Sequence, residues 1–197
     1  MKEEVYKVFR KYGRLLAIHG YVAGHGGNLS LRSGNRMFIT RHGAHLEDLK
    51  PQDVIETRVD KPSSLDTIAS SEILLHRAIY MESAQYLACI HTHSPYAIAT
   101  SFFYDELKPI DAEASYVLKR IPVVEGEAGS QRMAEAVAKA LKESHSVIVR
   151  GHGVFTAAQV IDVAYRYACL VERSAQLLYL VDVLKKLGYT FITPTHL

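Results

Sequence analysis

Cysteine is scarce in this chain. Cys89 and Cys169 are the only two among 197 residues, and both sit in apolar surroundings. That excludes a disulfide-held scaffold and leaves two buried free thiols as the expectation. A surplus of one charge is also missing. The 23 basic and 21 acidic residues give a formal charge of +2, too balanced for recognition of nucleic acid by charge. No apolar run reaches the length of a membrane span, and the opening Met1-Lys2-Glu3-Glu4 has none of the marks of a signal peptide, so a cytoplasmic location and no membrane partner are expected. Internal repeats and low-complexity stretches are absent as well. What is present is 48% hydrophobic and 22% charged residues in a length that fits one domain over residues 1–197 with a real core.

Hydrophobic spacing divides the chain into alternating helices and strands. Val5, Val8, Phe9, Tyr12, Leu15, Leu16 and Ile18 form a helical stripe over residues 2–20, stopped by Gly20. Three glycines in four positions, Gly24-His25-Gly26-Gly27, demand a tight turn or a close approach of backbone. Strands are expected over 29–32 and 37–40, joined as a hairpin across Ser33-Gly34-Asn35-Arg36, with another over 54–59. Residues 60–68 read as a polar loop that delivers Ser70-Ser71-Glu72 to a helix over 72–83. A buried strand then runs into His91-Thr92-His93 and halts at Ser94-Pro95, and a short helix follows to about Phe103. Residues 109–115 read as irregular. Further on come a strand over 121–124, a helix over 131–142 capped by Gly129-Ser130, strands over 147–149 and 154–157, and a long helix over 159–187 closed by Gly188. The fold class is α/β. The hairpin argues against a purely parallel sheet, so one mixed sheet with helices on both faces is expected.

Two strand ends carry the chemistry. On a strand, positions i and i+2 share a face, so His91 and His93 project side by side about 7 Å apart. Val147-Ile148-Val149-Arg150-Gly151-His152-Gly153 is a second buried strand that ends in a histidine, held between glycines. Single histidines are usually surface or core residues, but three imidazoles from two strand ends would make a divalent-metal site with an open position, the catalytic zinc pattern rather than the closed structural one. Gly26, Gly27, Asn28, Gly43, Ser70 and Ser71 offer small side chains, hydroxyls, an amide and backbone N–H groups, which together suit a phosphate without a cluster of Arg or Lys. Glu72, next to the serine pair, is read either as a carboxylate complementing its helix N-terminus or as a general base beside the metal.

Gly26-Gly27-Asn28-Leu29-Ser30, Ile39-Thr40-x-x-Gly43, Ser70-Ser71-Glu72, His91-Thr92-His93 and Gly151-His152-Gly153 occur in that order. The set resembles the class II aldolase/adducin family, and within it the L-fuculose-1-phosphate aldolases, over nearly the whole chain. The resemblance implies a three-layer α/β/α fold around a mixed, mainly antiparallel sheet, and a homotetramer with active sites at subunit interfaces. It implies one Zn²⁺ per subunit on His91, His93 and His152, with Glu72 as acid/base and also as a metal ligand when substrate is absent. Asn28, Gly43, Ser70 and Ser71 match the phosphate positions. The implied reaction is reversible cleavage of a ketose 1-phosphate, such as L-fuculose 1-phosphate, to dihydroxyacetone phosphate and a small aldehyde such as lactaldehyde.

The chain departs from that pattern at several points. His25 and His42 stand where the aldolases carry small hydroxyl residues. The central proton-donating tyrosine aligns with Glu113, with Tyr116 close by as a substitute. The family's C-terminal tail supplies another tyrosine, whereas this chain ends early, at Thr193-Pro194-Thr195-His196-Leu197. The rival enzymes are a pentulose-phosphate 4-epimerase, against which Glu72 stands because Asp is expected there, and a sugar-phosphate dehydratase or decarboxylase. A non-catalytic adducin-like binding module would have lost the metal histidines, and all three are here. A structural zinc protein lacks the cysteine that would close the site.

Overall fold

The computed structural model describes residues 1–192. Helix α1 (Lys2–Ile18) leads through the glycine-rich loop into the hairpin of β1 (Asn28–Ser33) and β2 (Arg36–Thr40). Then follow β3 (Val54–Arg58), α2 (Ile73–Glu82), β4 (Ala88–Thr92), α3 (Pro95–Ser101), β5 (Glu106–Leu107), α4 (Ala112–Leu118) and β6 (Ile121–Val124). The chain closes with α5 (Gln131–Glu143), β7 (Ser146–Val149), β8 (Gly153–Ala158) and α6 (Ile161–Lys186). The eight strands form one sheet in the order β3-β2-β1-β4-β8-β7-β6-β5. Among these neighbours only β6 and β7 run parallel.

Side-chain alternation along the strands builds the three layers. Met37, Ile39, Cys89, Val147, Val149, Phe155 and Ala157 point to one face and pack with Ile73, Leu75 and Ile79 of α2 and Met133, Val137 and Leu141 of α5. Their strand neighbours point the other way. Leu29, Phe38, Ala88, Ile90 and Ala158 meet Phe9 and Leu16 of α1 and the first turns of α6. Ile148 and Val154 meet Ala97 of α3, Ala114 and Leu118 of α4 and Val171 of α6. The sheet is therefore covered on both sides, as the unbroken burial of β4, β7 and β8 requires. Among the described residues no helix is long and apolar enough to cross a membrane.

Local departures from the sequence reading have local causes. Residues 109–115 are not irregular throughout, because α4 starts at Ala112 with the Asp111 side chain accepting from the Ala114 N–H at 3.0 Å. The two-residue strand β5 is too short to leave a periodic signal. Part of the 60–68 loop is a 3₁₀ turn, Ser64–Ile68, capped by Ser63. Glu72 is the N-cap of α2 rather than part of its first turn. Cys89 is buried as expected, but Cys169 is only partly so. Residues 193–197, on which the expectation about the C-terminal tail falls, lie outside the described residues.

Candidate active site

The strand-end histidines converge. β4 and β8 pair antiparallel with His91 opposite Phe155, and the β7–β8 turn swings His152 across the end of β4. Ligating nitrogens of His91, His93 and His152 all lie within 4.8 Å of one another. His91 Nδ1 donates to the Val154 carbonyl at 3.0 Å, so its proton sits there and Nε2 turns a bare lone pair to the cluster. His91 Nε2 and His93 Nε2 stand 3.0 Å apart. Phe155 stacks flat on the His91 ring at 4.0 Å and 9°.

Glycine makes this approach possible. A Cβ on Gly153 would stand 2.2 Å from the Thr92 carbonyl and 2.9 Å from His91 Cε1. A Cβ on Gly26 would stand 2.9 Å from His93 Nδ1. The loop before His152 is pinned from outside. Arg150 binds Asp105 at 2.5 Å and Glu125 at 2.7 Å and donates to the Ser101 carbonyl, and the Gly151 N–H donates to Ser101 Oγ at 3.0 Å. Glu172 of α6, buried, accepts from the Tyr96 and Ala97 N–H groups at 2.9 and 2.8 Å, which fixes the chain just after His93.

Electrostatics favour neutral ligands and a basic carboxylate. Burial, then the neighbouring His152 and His93, holds His91 well below the usual histidine range. Burial also lowers His93, and burial followed by the His93 charge lowers His152. Their lone pairs are therefore free for a metal near neutral pH. Glu72 Oε1 lies 3.8 Å from His152 Nε2, and burial raises its carboxyl above the usual range. Glu72 Oε2 and His152 Nδ1 are buried polar atoms with no hydrogen-bond partner among the described residues. Unpartnered polar atoms beside three converging imidazoles fit a divalent cation.

These groups open into a cavity of about 460 Å³. Asn28, Gly43, Ser70 and Ser71 line it together with Glu72 and the three histidines, as do His25 and His42. The Glu72 N–H donates to Ser70 Oγ at 3.3 Å, and the Ser70 N–H to the Thr40 carbonyl at 3.0 Å, so the serine pair is tied to β2. Gly26 does not line the cavity. It lies behind the His93 ring, where it allows close packing. Glu113 and Tyr116 do not line it either. They lie on the exposed side of α4, with Tyr116 85% exposed. Sequence reasoning missed Arg41, a cation that lines the cavity, and Glu172. A charged residue inside the otherwise apolar stripe of a long helix was the available signal for the latter.

The chain is 35% identical over 178 residues to the L-fuculose phosphate aldolase of Methanococcus maripaludis, which spans 90% of this chain and 97% of that protein. It is 27% identical over 172 residues to the 5-deoxy-D-ribulose 1-phosphate aldolase of Bacillus thuringiensis, over 85% of this chain and 81% of that protein. The crystal structure of L-fuculose-1-phosphate aldolase from Thermus thermophilus matches the fold with a TM-score of 0.89 at 30% identity, over 94% of this chain and 98% of that one. Residues 7–179 match the class II aldolase and adducin N-terminal domain, and the chain belongs to that family.

Proposed function

We propose that this chain is a zinc-dependent aldolase that reversibly cleaves an L-fuculose 1-phosphate-like ketose 1-phosphate to dihydroxyacetone phosphate and a small aldehyde such as lactaldehyde. The observation that carries the reading is the buried Glu72 carboxylate, its Oε2 without a hydrogen-bond partner among the described residues, beside three histidines in a cavity that Asn28, Ser70, Ser71 and the Arg41 cation also line. His91, His93 and His152 would hold the ion, with Glu72 near enough to join them before substrate enters. When bound, the ion supplies Lewis acidity to the substrate's carbonyl and hydroxyl oxygens. Asn28, Ser70, Ser71 and the backbone at Gly43 bind the phosphate and fix the ketose along the cavity. In the condensation direction Glu72 takes the proton from the hydroxymethyl carbon of dihydroxyacetone phosphate, and in cleavage it returns that proton to the same carbon, a role that suits a carboxylate made more basic by burial.

Glu113 and Tyr116 belong to the aldehyde end in this reading, reaching the cavity of a neighbouring copy in a homotetramer. Their exposure on α4 supports that assignment. The sizes of the two aldolase relatives' substrates agree with a short sugar 1-phosphate. An epimerase, dehydratase or decarboxylase would share the metal and phosphate groups, and no feature of this cavity favours one of them.

The test is Glu72→Gln. Metal content should stay near one ion per chain, while hydrogen exchange at the hydroxymethyl carbon of dihydroxyacetone phosphate falls about 100-fold or more. Exchange at the unsubstituted rate would remove Glu72 from its role. Condensation scanned over several aldehydes would name the second substrate, and protein purified without any divalent ion would remove the metal from the reaction.

A further inference from the structure

His76 lies on α2, fully buried, and the proposed chemistry gives it no role. Both of its ring nitrogens are engaged. Nδ1 stands 2.6 Å from Ser30 Oγ, and Ser30 Oγ stands 2.7 Å from the Tyr80 hydroxyl. Nε2 meets Oδ1 of Asn28. The side chains of Tyr80, Ser30, His76 and Asn28 thus form one buried file that ends at the cavity wall. Ser30 and Asn28 share a face of β1 because they are two residues apart, and His76 and Tyr80 share a face of α2 because they are four apart. The file is a register match between a strand and a helix.

Burial pushes His76 down to about 3, so the ring is neutral and carries one proton. That proton decides which way the Asn28 amide can face. With the proton on Nε2, the ring donates to Asn28 Oδ1 and accepts at Nδ1 from the Ser30 hydroxyl, which in turn accepts from Tyr80. The Asn28 NH₂ group is then left facing the cavity. With the proton on Nδ1, the bare Nε2 would oppose Oδ1, and the amide would turn its oxygen to the cavity. A phosphate only accepts hydrogen bonds, so the second arrangement repels it and the first binds it.

We propose that His76 is a positioning residue that holds its proton on Nε2 and thereby locks the Asn28 amide with its NH₂ toward the phosphate. This rests on the reading of the cavity as a phosphate site. An asparagine amide can turn over at little intrinsic cost, so the hydrogen-bond file, not Asn28 itself, sets whether that position attracts or repels an anion. His76 would act on substrate affinity and leave the proton transfer at Glu72 alone.

Nitrogen NMR of the imidazole in the unsubstituted protein reads the tautomer directly. A protonated Nε2 is expected, and a protonated Nδ1 overturns the proposal. The functional test is a binding titration of the metal-loaded protein with inorganic phosphate. His76→Leu should weaken binding about 10-fold, the scale of one hydrogen bond to a charged group. His76→Gln, whose amide can still donate near the Nε2 position, should recover most of it. In steady-state assays the loss should appear in KM for the ketose phosphate and not in kcat. In an Asn28→Ala background, His76→Leu should change nothing further, because its only route to the phosphate is gone. Equal losses with and without Asn28 would make His76 merely structural and overturn the proposal. If Asn28→Ala alone left phosphate binding intact, the phosphate reading itself would fall, a result distinct from either.

Discussion

At the scale of single residues, the histidine cluster was legible because strand geometry is simple. His91 and His93 are two apart on a strand, and period 2 alone puts them on one face. His152 was legible because its flanking glycines marked a turn at a second strand end. His76 was not, since a histidine in an amphipathic helix gives no sign of which way it faces until the strand beside it is known. Gly153 shows how narrow the fit is. A methyl group there runs into backbone at Thr92 and into the edge of the His91 ring, and backbone cannot swing aside. Gly153→Ala should cost about 1–3 kcal/mol of stability and lower metal content in proportion to the displacement of His91. Denaturant unfolding and metal analysis of the same sample would check both. Full metal content at unchanged stability would mean that the two strands yield more readily than their packing suggests.

At the scale of elements, position matters more than propensity. The serine pair is held by the 3₁₀ turn before it, and that turn is held by a half-hidden ion pair. Arg77 of α2 reaches back to Asp66 at 2.9 Å and to the Arg58 carbonyl at 3.0 Å, and Thr57 donates to the same carboxylate at 2.5 Å. Burial works against the Asp66 charge, but the Thr57 and Arg77 hydrogen bonds prevail and hold its carboxyl below the usual range. The two side chains are 9% and 17% exposed, so water screens the pair little. Arg77→Met should cost about 3 kcal/mol, because it strands a carboxylate in a poorly hydrated place. The urea midpoint measures that loss, and an unchanged midpoint would show that Thr57 suffices for Asp66. The sequence read residues 60–68 as a loop because their polar side chains are spent on one another rather than on a periodic face. It placed α1, α2, α5 and α6 within a few residues because their apolar stripes are long. It missed α4 and β5, where seven residues and two leave too little pattern to read.

At the scale of the whole molecule, the layers were legible and the strand order was not. Unbroken apolar runs state that a strand is buried on both faces, but not which strand lies beside it. β4 sits between β1 and β8, which are far apart in sequence, and only the folded sheet reveals it. This arrangement gathers four histidines, His76 and His91 fully buried and His93 and His152 at the cavity, and with them a sensitivity to acid. His76, His91, His93 and His152 are all held below the ordinary histidine range, in each case by burial first. Once unfolded, the chain takes up protons near the ordinary value of about 6.5, while the folded chain refuses them. The stability they contribute is complete above that value and is lost as the pH falls below it. His76 alone should remove about 1.4 kcal/mol per pH unit between 6.5 and about 3. Chelator-treated protein should therefore melt at a clearly lower temperature at about pH 5 than at about pH 7.5; a constant midpoint would contradict the burial of the His76 and His91 rings. Phe155 and the Val154 carbonyl together hold the His91 imidazole from its flat side and its rear nitrogen. The entropy of freezing that ring is surrendered when the sheet assembles, so for an ion of the proposed kind the first ligand would already be aimed.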